Sequence, residues 1–158
     1  MANFDVAVEK VLKHEGGYTS GLEGDPGGET NFGISKRSYP SLDIKNLTRE
    51  QAKEIYRHDY WLSLYDQIED QRIATALFDF GVNAGTQRAV RTLQKAMNEV
   101  LAGPILADGV FGPNTLSAVN GANPEQLLRW FTTRRIIYYA SLNKPQFVRA
   151  WVERAMDV

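Results

Sequence analysis

Four carboxylates, Glu15, Glu23, Asp25 and Glu29, share one stretch with seven glycines, "KHEGGYTSGLEGDPGGETNFGIS", from Lys13 to Ser35. Two carboxyl groups at one cleft can break a glycosidic bond: one protonates the leaving oxygen, the other acts as nucleophile or activates water. Glu15 reads as part of the last turn of a first helix, where the macrodipole disfavours a carboxylate by about 0.3–1 kcal/mol. If it points into a cleft, dipole and desolvation together favour the neutral acid, the form a general acid needs. An exposed surface acid is the plainer alternative. Asp25 is the preferred second group, because Pro26-Gly27-Gly28 would turn tightly beside it; an ordinary Asp-Pro turn residue is its alternative. Thr30 offers a hydroxyl to position water. Tyr18 and Phe32 flank the carboxylates and are candidates for contact with a sugar, as is Asn31 next to Phe32.

Other chemistries fit less well. With no cysteine among the 158 residues, thiol catalysis and Cys-ligated zinc are excluded. Glu23, Asp25, Glu29 and Asn31 lack the spacing of a calcium loop. His14 and His58 are far apart and form no zinc-protease motif. No metal and no cofactor is therefore expected. The net charge of −1 provides no global field for nucleic acid. Arg88, Arg91 and Lys95, and likewise Arg129, Arg134 and Arg135, could touch phosphates but read as solvated helix faces. No apolar run approaches the roughly 20 residues of a membrane span. The amphipathic, acid-bearing N-terminus is unlike a secretory signal.

These side chains have to be positioned by helices. Phe4, Val8, Val11 and Leu12 recur at helical spacing, so 3–15 reads as an amphipathic helix stopped by Gly16-Gly17. Residues 16–35 lose that period, and their glycines suggest turns with a short hairpin. Thr48 and Gln51 in "TREQ" form a capping box for a helix to about Trp61. Asp70 caps the next, which carries Ile73, Leu77 and Phe78 on one face. A further helix follows Gly85-Thr86. Turn residues then surround a short helix containing Leu116 and Val119. "NPEQ" at 123–126 starts a long helix with Asn as cap and Pro at its first position. A last helix follows Pro145. Trp130 and Trp151 are assigned to packing. Asp79 and Asn83, four apart on one helix face, would either border the cleft or tie this helix to the glycine-rich loop.

"HEGGY…DPGGETNFGIS" closely resembles the N-terminal motif of the N-acetylmuramidases of glycoside hydrolase family 108, lysozyme-like endolysins of phages and prophages. The order Glu15, Asp25, Thr30 is similar to the Glu–Asp–Thr arrangement of phage-type lysozymes. Here the Glu-to-Asp gap is one residue longer and the Asp-to-Thr gap one shorter, so the hairpin is expected to differ in shape. "LFDFGVNAGTQRAVRTLQKAMN" and "ADGVFGPNTLSAV" resemble the peptidoglycan-binding segment that accompanies such catalytic regions, with Asp108, Gly109, Gly112 and Thr115 on its D-G-x-x-G-x-x-T pattern. Plain turn chemistry would explain those four residues equally well.

The resemblance implies a mainly α, lysozyme-like fold with a small β-hairpin or glycine-rich loop after the first helix. Residues 1–84 would be the catalytic muramidase region and 85–158 a helical peptidoglycan-binding-like region, packed as one compact unit. The implied activity is hydrolysis of the β-1,4 bond between N-acetylmuramic acid and N-acetylglucosamine. Glu15 would be the general acid, and Asp25 and Thr30 would position or activate water. Tyr18, Asn31, Phe32, Asp79 and Asn83 would face substrate. The partner is peptidoglycan, with no nucleic acid and no stable membrane association, for a monomer. Synthesis in the host cytoplasm and release to the wall through a holin-type opening would follow. Two alternatives remain open: a lytic transglycosylase, which leaves a 1,6-anhydro sugar, and a non-catalytic wall-binding or secretion-accessory protein.

Overall fold

The computed structural model describes residues 1–21 and 28–157. Asp25 and Glu23 lie outside the described residues. The chain forms helix α1 (Phe4–His14), a hairpin of β1 (Thr30–Asn31) and β2 (Ile34–Ser35), and α2 (Arg49–Asp59). A short 3-10 helix (Ser63–Gln67) leads into α3 (Gln71–Ala84) and α4 (Thr86–Met97). Then come α5 (Pro113–Gly121), α6 (Pro124–Ser141) and α7 (Pro145–Met156). The fold is mainly helical with one small antiparallel hairpin.

Local chemistry sets most of the helix starts. The Asn3 side chain accepts from the Asp5 and Val6 amides to begin α1, and Asp70 accepts from Arg72 and Ile73 to begin α3. Thr48 and Gln51 exchange both capping-box bonds. Asn123 caps α6, with Pro124 at a position whose missing N–H costs nothing.

α3 is buried without a break from Ile73 to Gly81, because α1, α4 and α6 pack around it. Its Phe78 meets Phe4, Tyr56 and Trp61 edge-on, with ring centroids 5.4–6.3 Å apart. α7 lies on α6, where Trp151 stacks on Tyr139 at 5.3 Å. Trp130, assigned to packing, is instead exposed; it lies next to Phe131, whose side chain takes the buried face.

The loop before α5 is organised by buried Gln94. Its amide donates to Asp108 Oδ1 at 2.9 Å and Thr115 Oγ1 at 3.1 Å, and its oxygen accepts from the Gly109 amide at 2.8 Å. Gly109 has φ +83°, and a Cβ there would fall 2.8 Å from the Gln87 carbonyl oxygen. Gly112 stands at the start of α5. The D-G-x-x-G-x-x-T pattern thus shapes a tight loop against α4.

Candidate active site

Glu15 stands one residue beyond α1, as its C-cap, with extended backbone and its N–H still bonded to the Val11 carbonyl at 3.0 Å. The chain therefore turns away from the helix at this side chain, which is 21% exposed. Two distant elements meet its carboxyl group. From α7, Arg154 Nη2 lies 2.9 Å from Oε1, as an ion pair without hydrogen-bond alignment. On the other side is the turn of the hairpin.

That turn consists of Phe32 and Gly33, with φ +51° and +78°. Two positive φ values between paired strands are the signature of a type I′ turn. Phe is an uncommon residue there. Its conformation is supported by Tyr56, whose hydroxyl donates to the Phe32 carbonyl at 2.8 Å. Burial first, and then the negative charge of Glu15, push the Tyr56 pKa well above the usual phenol value, so the group remains a donor. At Gly33 a Cβ would fall 2.6 Å from Glu15 Oε2 and 2.7 Å from Tyr56 Oη. Glycine is required here because backbone and carboxyl group touch.

Behind Glu15 runs a chain of charges. Arg154 Nε donates to Asp79 Oδ1 at 2.8 Å, and Arg135 Nη2 donates to Asp79 Oδ2 at 2.6 Å. Arg135 has no exposure, Asp79 is 5% exposed, and the Arg135 guanidinium lies over the rings of Phe80 and Phe131. Asp79 is the buried anion that both arginines share, and buried charge requires such pairing. Burial works against the charge on Arg154, but Asp79 and Glu15 outweigh it and raise its pKa. Asp157, just past α7, adds an ion pair to Lys10 at 3.3 Å and lies 3.0 Å from His14 Nε2. The end of α7 is thereby fastened to the end of α1.

The structure treats the expected site residues differently. Glu15 is partly exposed between Arg154 and the hairpin turn, and Phe32 is half-buried in that turn. Thr30 opens the hairpin, its backbone bridged to Thr19 and its hydroxyl 2.8 Å from the Thr19 hydroxyl. Tyr18 is exposed, and its hydroxyl donates to Glu29 at 3.2 Å. Asn31 is 6% exposed and spends its amide on the carbonyls of Ile44 and Leu47 at 3.1 and 3.3 Å. Like Asp79, it is buried, and it anchors the hairpin to the following loop. Among the described residues, Asp79 reaches Glu15 only through Arg154, and exposed Asn83 is not joined to this network. Asp25 lies outside the described residues.

Arg154, Gly33 and Tyr56 escaped the sequence reading. Arg135 was read as a solvated cation and is the opposite. One signal was available: Phe131, Arg135 and Tyr139 share a four-residue spacing, which places the arginine on the apolar stripe.

Residues 8–85 match the family model described as glycosyl hydrolase 108. The chain carries a glycosyl hydrolase 108 domain. Residues 88–156 match a second model, described as a predicted peptidoglycan domain. No curated protein matches the sequence. Among solved structures, the chain is similar to that of Brucella abortus SagA, with 29% identity and a TM-score of 0.78, over 96% of this chain and 88% of that one. The protein is thus a glycoside hydrolase directed at peptidoglycan. Glu15, Gly33, Tyr56 and Asp79 belong to the glycosyl hydrolase 108 segment. Arg135 and Arg154 come from the peptidoglycan segment, so both contribute to one charge network.

Proposed function

We propose that the protein is a muramidase that cleaves the β-1,4 bond between N-acetylmuramic acid and N-acetylglucosamine, with Glu15 as the general acid. The observation that carries this reading is the held carboxyl group of Glu15: partly exposed, paired to Arg154 through Oε1, and abutted at Oε2 by the Gly33 turn. A proton passes from Glu15 to the glycosidic oxygen as the bond to the anomeric carbon breaks, leaving an oxocarbenium-like centre. Water adds there, oriented by Asp25 and Thr30, and its proton leaves to a carboxylate. Arg154, Tyr56 and the turn keep the Glu15 side chain in one orientation, so little reorganisation is needed at the moment of transfer.

The test is digestion of purified peptidoglycan by wild type and Glu15→Gln. The amide keeps the shape of the side chain, and Arg154 keeps Asp79, so the variant should fold. General acid catalysis contributes about 10²–10⁴-fold, and a loss of that order is expected. Mass spectrometry of the wild-type fragments should find reducing N-acetylmuramic acid ends. Lysis by Glu15→Gln at the wild-type rate would remove Glu15 from the reaction. Products ending in 1,6-anhydro sugar would assign transglycosylation instead.

A further inference from the structure

Between α4 and α6 runs a groove of about 630 Å³ whose lining includes Arg88, Arg91, Lys95 and Arg134 and no acidic side chain. Arg134 pairs with Glu99. The other three have no carboxylate partner among the described residues. Arg91 Nη2 donates only to the Asp108 carbonyl, at 3.0 Å, and the Arg88 guanidinium lies over the Tyr138 ring at 4.8 Å. Positions 88, 91 and 95 lie on one face of α4, and like charges one turn apart work against the helix. With a net charge of −1, this excess is local and does not reflect an overall basic protein. The groove also has apolar surface: Ile137 is 61% exposed, beside the Tyr138 ring.

The ligand that fits must combine several carboxylates with small apolar groups. A neutral glycan has no use for three unpaired cations. The stem peptide of peptidoglycan does, since its free carboxylates alternate with alanine methyl groups, and arginine can take a carboxylate through two parallel hydrogen bonds. The four cations, Ile137 and Tyr138 all lie within the segment matched as a peptidoglycan domain. We infer that the α4–α6 groove is a binding site for the carboxylates of the peptidoglycan stem peptide, separate from the Glu15 site. This rests on peptidoglycan being the polymer bound.

The test uses Glu15→Gln protein, so that the wall is not consumed, and sacculi freed of phosphate-containing polymers. Binding is measured to intact sacculi and to sacculi whose peptide carboxylates have been converted to neutral amides with a carbodiimide and ammonia. At least tenfold tighter binding to intact sacculi is expected, with the preference erased by Arg91→Glu/Lys95→Glu and reduced by 0.5 M salt, following charge screening. The milder Arg88→Gln/Lys95→Gln pair, with thermal unfolding as the fold control, should weaken the preference in the same direction. Equal binding to intact and amidated sacculi, or a preference that survives charge reversal, would overturn the assignment. So would a preference seen only before the phosphate polymers are removed. Failure of the muramidase reading shows up separately, as wild-type protein that releases no fragments.

Discussion

Gly33→Ala separates the position of Glu15 from the stability of the fold. Ordinary contact begins near 3.4 Å, whereas the new Cβ would sit 2.6 Å from Glu15 Oε2, so something must move by about 0.8 Å. Tyr56 is held by its bond to Phe32 and is 2% exposed. The end of the Glu15 side chain is the freer partner and should be the part displaced. The backbone term is modest: alanine at φ +78° costs about 1–2 kcal/mol. For a chain of this size that lowers Tm by roughly 2–8 °C. The catalytic term is larger, since a misplacement near 1 Å can cost about 10²-fold. Release of dye-labelled fragments from peptidoglycan, measured well below the lowered Tm, should therefore fall about 10- to 100-fold. Gly17→Ala is the control, because a Cβ there meets nothing within 4 Å; it should behave like wild type. Activity of Gly33→Ala within threefold of wild type, with the expected drop in Tm, would refute the idea that this turn sets the Glu15 carboxyl group.

Asp79→Asn removes the shared counter-ion of Arg135 and Arg154. Breaking such a buried pair costs about 3–5 kcal/mol, which corresponds to a Tm fall on the order of 10 °C. Thermal unfolding checks this, and a fall under about 3 °C would mean that the network contributes little. Asp70 answers to pH. Its pKa is held low, chiefly by Arg72, against the effect of burial and with help from the Ile73 and Arg72 amides. A lowered folded-state pKa means that the stabilisation is full above the unfolded value of about 3.9 and is lost as pH falls through the folded one. Asn at this position still caps α3 but does not titrate. The urea midpoint advantage of wild type over Asp70→Asn at pH 6 should shrink below about pH 4, and an advantage constant down to pH 2 would contradict the assignment.

How much of this was legible depended on range. The capping box at Thr48 and Gln51 and the Asp70 and Asn123 caps were readable because each satisfies backbone groups within about four residues; the first helix, read to Glu15, ends one residue earlier, with Glu15 as its C-cap. Glu15 was readable for the same reason, as an acid at a helix end followed by two glycines. Asn31 and Asp79 were recognised as significant, but their burial was not visible, since an isolated polar residue carries no mark of what will cover it.

The sequence alone determined the helical order and the small hairpin, and it singled out Glu15 among the acids. The tertiary structure decided what that acid meets. Arg154 arrives from the last helix, Arg135 is buried rather than solvated, and Gly33 touches a carboxyl group eighteen residues earlier in the chain. Such pairings depend on how α1, α3, α6 and α7 pack. A buried cation next to a buried anion is stable only as a pair, and neither partner's local sequence names the other.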